Sequence, residues 1–236
     1  MPTVVDHLFA LLLIVGVPLY AARFSWPRMK KHDLAEAEPA ARIRIYWGVM
    51  GPEWLLAVVT LAIWVYGQRP WAELGFTLQA GWRLWTGLGA AAVVALALTV
   101  QYLVVIRTAQ GRARALAEVQ RAAPFAPQTR REMVHFTGLS FTAGICEEIL
   151  YRGFLIWYAV QFTGTGVAGL ALAVAASSIV FGIAHLYQGR SGALRVAGLA
   201  VVFGGLYVWC ESLWPVIVLH VYVDIAGGLL SVAAKK

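Results

Sequence analysis

Residues 147–152 read Glu-Glu-Ile-Leu-Tyr-Arg, between the apolar flanks Phe-Thr-Ala-Gly-Ile-Cys and Gly-Phe-Leu-Ile-Trp-Tyr. Charged side chains are costly inside a membrane, and even the lower scales assign roughly 2.5–3.5 kcal/mol to a central Asp, Lys or Arg. Apolar segments retain such groups mostly where the groups pair or serve a function. The stretch therefore predicts a membrane protein with a functional site at membrane depth.

The composition of the whole chain agrees with this interpretation. Of 236 residues, 60% are hydrophobic and only 13% are charged, and the mean hydropathy is +0.70. A soluble domain carries about 25% charged residues. We therefore predict an all-α, polytopic membrane helix bundle in a single domain, residues 1–236. The net charge of +7 does not indicate nucleic-acid binding, because the basic residues fall in loops between apolar segments.

Apolar runs of about 20 residues are long enough to cross a bilayer as helices. The chain contains about seven, with eight as the alternative. The fourth is too long to cross upright, so we expect it to tilt, kink or project into water. The predicted spans are 4–22, 45–66, 84–106, 134–160, 166–187, 194–210 and 214–233.

Basic residues predict the orientation of these spans. If seven spans alternate, sixteen of the 19 Lys and Arg residues lie on one side, in 23–44, 107–131, 190–195 and the C-terminal pair. Because basic loops stay in the cytoplasm, we expect the N-terminus outside and the C-terminus inside. The expected location is the inner (plasma) membrane of a bacterium. Seven tryptophans fall near the predicted outer interface: Trp64, Trp71, Trp82, Trp85, Trp157, Trp209 and Trp214.

Residues 107–132 form the longest polar segment, and their composition predicts a helix near the cytoplasmic surface. Pro124 and Pro127 end it. Thr129-Arg-Arg-Glu132 then matches a capping box, which predicts a helix start at about 130. Glu147 would therefore lie several turns inside the following span.

Two adjacent carboxylates face different directions on that helix. Glu148 and Arg152 are four residues apart and share a face, so they are expected to form an ion pair. Glu147 is turned by about 100° from Glu148 on a helix of 3.6 residues per turn. It therefore remains free to act in a neighbouring cavity.

Two later apolar segments add further polar groups. Phe181-Gly-Ile-Ala-His185 ends the fifth span, and His220 and Asp224 share one face of the last. Asp224 could fix the tautomer of His220 or pair with its imidazolium form. Straight, upright helices would place His185 near the cytoplasmic end and His220 nearer the outer end, so a shared site requires tilted or interrupted helices.

Three motifs in this order resemble the CAAX prenyl protease and bacteriocin-processing family (CPBP, also called Abi). They are Glu-Glu-x-x-x-Arg at 147–152, Phe-x-x-x-His at 181–185 and His-x-x-x-Asp at 220–224. The resemblance implies a CPBP-like catalytic core over 131–233. It leaves 1–130 as N-terminal spans and basic cytoplasmic loops. It implies an intramembrane endopeptidase whose partners are membrane lipid and a peptide or lipidated protein substrate, with no nucleic acid.

The resemblance also implies a role for each residue. Glu147 would be the general base that activates water, and His185 would share that water. His220 would stabilise the oxyanion, while Glu148 and Arg152 would hold the site together. Catalysis would be carried by Glu147, His185, His220 and Asp224.

The chain departs from the family at Asp224, a position that is often Asn in the prenyl-protease branch. An amide donates a hydrogen bond, whereas an ionised carboxylate cannot. Asp224 is therefore expected either to be protonated and donate to the oxyanion, or to orient His220.

Three alternatives remain beside the metal-free protease. One is a zinc-dependent version of the same enzyme, with Glu147, His185 and His220 as ligands, although HExxH is absent. Another is a proton-coupled transporter, because intramembrane Glu, Arg and His also mark ion paths. The third is a non-catalytic immunity or scaffold protein of the same fold.

Overall fold

The structure is a computed structural model that describes residues 1–26, 34, 38–77 and 81–235. Every regular element in those residues is helical. The basic residues Arg28, Lys30, Lys31 and Lys236, which contributed to the predicted orientation, lie outside the described residues. The helices are α1 (Val4–Phe24), α2 (Pro39–Tyr66), α3 (Trp82–Val105), α4 (Ala109–Ala122), α5 (Arg130–Glu147), α6 (Ile156–Thr163), α7 (Val167–Ala184), α8 (Gly189–Cys210) and α9 (Trp214–Ala234).

Six helices are long and apolar enough to cross a membrane: α1, α2, α3, α7, α8 with its preceding turn (Leu186–Cys210), and α9. They coincide with six of the seven predicted spans. The remaining span, 134–160, lies within a continuous helical run over 130–163. This run is not among the six apolar helices because its charged residues lower its hydropathy. Only 6% of the most apolar 18-residue stretch of α3 is buried. The apolar surface of α3 therefore faces outward, as it would in lipid.

The starts and ends of several helices follow the sequence signals. The capping box predicted at Thr129 is present, since its hydroxyl accepts from the Glu132 backbone and the Glu132 carboxylate accepts from the Thr129 backbone. The predicted surface helix is α4, which ends before Pro124. Gly164 has a φ of +85° in the turn between α6 and α7, a conformation that favours glycine.

The second span begins earlier than predicted. Helix α2 starts at Pro39 rather than at 45, so Arg42 and Arg44 lie on its first turns and not in a loop. The prediction was wrong here because charged residues lower the hydropathy of a helix end without ending the helix. Proline at the first helical position is a favourable start.

Contacts between the ends of the helices define two opposite ends of the bundle. At one end Arg42 Nε lies 2.5 Å from Glu132 Oε1, and Lys235 donates to Gln128. At the other end Arg69 donates to both carboxylate oxygens of Asp6, at 2.8 and 2.5 Å. The run over 130–163 starts at the first end and reaches the second.

That run is interrupted by a π-helical segment at Glu148–Leu155, between α5 and α6. All eight residues of the segment are buried. It packs against α2, α7, α8 and the short helical turn Trp71–Leu74. A π-helical turn of this kind frequently occurs at functional sites.

Candidate active site

His220 of α9 lies at the centre of a polar cluster. Its Nδ1 is 2.7 Å from Glu148 Oε1, so Nδ1 carries the proton that the carboxylate accepts. The contact depends on the close approach of α5 and α9 at Gly144, where a Cβ would lie 2.5 Å from Val221 Cγ2. Glycine one turn before the two glutamates therefore allows them to reach the histidine.

Glu148 joins Arg152 to His220. Its Oε1 accepts from Arg152 Nη1 at 3.0 Å, which confirms the predicted ion pair. The Glu148 side chain is fully buried and that of Arg152 is 3% exposed. The negative charge of Glu148 and the positive charge of Arg152 therefore compensate each other, since an unpaired ion at this depth is strongly unfavourable.

Glu147 faces the other nitrogen of the same imidazole. Its Oε2 lies 3.7 Å from His220 Nε2, and 16% of its side chain is accessible. This distance is too long for a direct hydrogen bond. At this separation one water molecule can hydrogen-bond to both atoms.

Asp224 lies one helical turn after His220, with Oδ2 at 3.9 Å from Nε2 and a side chain that is 33% exposed. Glu148, not Asp224, therefore holds Nδ1, the atom that an orienting carboxylate would bind. Asp224 and Glu147 instead lie near the same nitrogen, where a reacting carbonyl could be received.

His185 is not in direct contact with Glu147. It caps α7, and its Nδ1 donates to the backbone carbonyl of Phe181 at 2.8 Å. The Phe181 ring, 4.4 Å from the His185 ring, lies 4.7 Å from the Arg152 guanidinium. The Phe181 ring thus lies between His185 and the ion pair of Glu148 and Arg152. His185 is also within electrostatic range of His220 and Asp224.

Glu53 of α2 is a candidate member of the site that the sequence analysis missed. Its carboxyl group lies within electrostatic range of Glu147, His220 and Asp224. Its Oε2 is inaccessible and has no hydrogen-bond partner in the part of the chain that the structure describes. The signal was present in the sequence, because Glu53 is an acidic residue within the apolar run 45–66.

The zinc-dependent alternative names Glu147, His185 and His220 as ligands. Zinc is held by ligand atoms at about 2.0–2.3 Å in a tetrahedral arrangement. Two ligand atoms at those distances lie roughly 3.3–3.8 Å from each other, and Glu147 Oε2 lies 3.7 Å from His220 Nε2. The Nδ1 atom of His185 is bound to the Phe181 carbonyl. Within the described residues, no group of three or more His, Cys, Asp or Glu side chains is arranged to hold a metal ion.

Comparison with known proteins agrees with the motifs. Residues 129–226 match the family described as type II CAAX prenyl endopeptidase Rce1-like. No curated protein and no solved structure matches the chain. The six apolar helices and this family together make the chain a multi-pass integral membrane protein. Residues 129–226, which carry every side chain of the site except Glu53, are therefore similar to the Rce1-like family of type II CAAX prenyl endopeptidases.

Proposed function

We propose that this protein is an intramembrane endopeptidase that hydrolyses a peptide bond in a membrane-associated or lipidated protein or peptide. The observation that carries the proposal is the placement of Glu147 at 3.7 Å from His220 Nε2. The opposite nitrogen of His220 is fixed by the buried pair of Glu148 and Arg152. A free carboxylate beside an oriented imidazole supplies a base and a hydrogen-bond donor at one position.

In the proposed mechanism, Glu147 takes a proton from water while the water oxygen attacks the scissile carbonyl. Because His220 donates its Nδ1 proton to Glu148, it has a second N–H on Nε2 only as imidazolium. The surrounding carboxylates favour that form, and its Nε2–H can stabilise the oxyanion in a poorly hydrated site. His185 keeps Nδ1–H on Phe181, which leaves its Nε2 as an acceptor for the same water.

Purified protein in lipid vesicles tests the activity directly. It would be incubated with a pool of peptides from a membrane fraction in oxygen-labelled water, and the products read by mass spectrometry. The proposal expects shortened peptides whose new carboxyl termini contain the label. If no peptide is cleaved by folded protein, the proposed function is wrong, and the non-catalytic alternative is favoured.

Asp224→Asn is expected to retain activity. As pH rises, the variant should lose less activity than the wild type. The reason is that Asp224 lies near Nε2 of His220, where it can donate to the oxyanion only when protonated. A rise in pH removes that proton, whereas the amide of Asn cannot ionise. A pH–rate profile of the wild type and the variant, each with and without a chelator, measures this.

Other outcomes assign Asp224 a different role. An orienting carboxylate predicts a loss of orders of magnitude in the variant, as in catalytic triads. A metal ligand predicts weaker metal binding and rescue by added zinc. An Asn variant that is inactive at every pH and insensitive to metal would eliminate the donor role.

We also propose seven spans with the N-terminus outside and the C-terminus cytoplasmic. The two ends of the bundle support this count, because the run over 130–163 connects them.

Ala72→Cys, in the turn after α2, should react with an impermeant thiol reagent in intact cells. Ala113→Cys, exposed on α4, should react only after permeabilisation. The native Cys146 and Cys210 are buried. Labelling of Ala113→Cys from outside would overturn the orientation.

A further inference from the structure

The Glu53 carboxyl group has no role in the mechanism above, although the fold brings it to the site. Helix α2 packs along α5 and against the π-helical segment. Trp54, the next residue, donates from Nε1 to Thr142 Oγ1 of α5 at 3.0 Å. This contact fixes the rotation of α2 beside the catalytic helix.

The surroundings of Glu53 are acidic. Its carboxyl group interacts electrostatically with residues of α5, α9, the π-helical segment and the turn after α7. None of these groups is a permanent cation. The titratable residues that interact with it electrostatically are Cys146, Glu147, Tyr151, Tyr187, His220 and Asp224.

Charge balance indicates which carboxyl groups hold protons. The site contains four, on Glu53, Glu147, Glu148 and Asp224, but only Arg152 and the His220 imidazolium as cations. Glu148 contacts both cations, and Glu147 faces His220. Ionisation of these two glutamates balances the two positive charges. Glu53, with a buried oxygen that has no partner among the described residues, is then neutral, because an uncompensated buried charge is very unfavourable.

We propose that Glu53 is a protonated carboxylic acid that donates its proton to the leaving amine. This inference rests on the proposed peptidase function. It assigns base and acid to two different glutamates, from α5 and α2. Two carboxyl groups whose surroundings favour opposite protonation states are a recurrent basis for acid–base catalysis.

The proposed steps account for every proton and for the electron pair of the broken bond. Glu147 accepts one proton from water, and the water oxygen forms a bond to the carbonyl carbon. The carbon–nitrogen bond then breaks, its electron pair stays on nitrogen, and Glu53 delivers its proton to that nitrogen. The products are a carboxylic acid and an amine. Transfer of the proton from Glu147 to Glu53 through a water molecule restores the starting state.

Infrared spectroscopy tests the protonation of Glu53 without any substrate. Because Asp224 is also expected to be protonated, the comparison is made in Asp224→Asn protein. At neutral pH this variant should still show the carbonyl stretch of a protonated carboxyl group, and adding Glu53→Gln should remove that band. Glu211→Gln is a matched control, because the Glu211 side chain is 70% exposed and should be ionised. An Asp224→Asn spectrum without a protonated carboxyl band, or one unchanged by Glu53→Gln, would overturn the proposal. The Asp224→Asn result stands even if the double variant does not fold.

Activity then tests proton donation. Glu53→Gln should lower the maximal rate by roughly 10²–10⁴-fold, the usual contribution of a general acid, and Glu53→Asp should restore part of it. Full activity in folded Glu53→Gln, with an inactive Glu147→Gln, would contradict the role of Glu53 alone. Full activity in Glu147→Gln would instead contradict the proposed function.

Discussion

Replacing Glu147 with glutamine is expected to abolish proteolysis while leaving the fold intact. Gln has nearly the same shape but cannot accept a proton from water, so the rate should fall by roughly 10²–10⁴-fold. The fold should tolerate the change because the ionic contact of Glu147 with His220 is at 3.7 Å, beyond hydrogen-bonding distance. Peptide cleavage by the reconstituted protein measures the rate, and thermal unfolding in detergent measures the fold.

Glu147→Asp serves as the companion variant. It retains a carboxylate but withdraws it by one methylene, so it should keep more activity than Glu147→Gln. Wild-type turnover in a well-folded Glu147→Gln protein would show that another group activates the water.

Glu148→Gln, unlike Glu147→Gln, is expected to lower the stability of the fold strongly. Glu148 is fully buried, and its Oε1 binds both Arg152 and His220. Removing its charge leaves Arg152 uncompensated in a low-dielectric interior, which costs about 3–5 kcal/mol for a buried pair. Equilibrium unfolding in mixed detergents would measure the change in the free energy of unfolding.

An exposed glutamate of the same chain provides the control. Glu118 lies 3.6 Å from Arg195, and both side chains are more than half exposed. Surface pairs of this kind contribute about 0–1 kcal/mol, so Glu118→Gln should change stability very little. Equal effects of Glu118→Gln and Glu148→Gln would mean that the buried pair does not stabilise the site.

Features that depend on one helix at a time could be predicted from the sequence. Apolar runs predicted six of the helices that can cross a membrane, and the capping box at Thr129 predicted the start of α5. The ion pair of Glu148 and Arg152 follows from a spacing of four residues on one helix. In each case the interacting residues are close in sequence, so local rules are sufficient.

Features that depend on the packing between helices could not be predicted in the same way. That Glu148 and not Asp224 holds His220 Nδ1 depends on how α5 and α9 approach each other at Gly144. The π-helical segment carries the charged Glu148 and Arg152, but their spacing of four residues fits an ordinary α-helix equally well, so the sequence did not predict the π-helical turn.

Glu53 shows a different reason for incomplete prediction. It lies outside the three motifs, about 90 residues before Glu147 in the chain, and joins the site only because α2 packs on α5. Its position inside an apolar run was nevertheless a usable signal. Every acidic residue within a predicted span is a candidate for the functional site.

The most direct test of the central claim compares membrane peptides from two cell lines that express equal amounts of wild-type protein or Glu147→Gln. Mass spectrometry of the membrane fraction identifies peptides by their carboxyl termini. The account predicts a set of truncated carboxyl termini that is present with the wild type and absent with Glu147→Gln, where the uncut precursors accumulate. Identical sets of carboxyl termini in the two lines would contradict peptide-bond hydrolysis by Glu147.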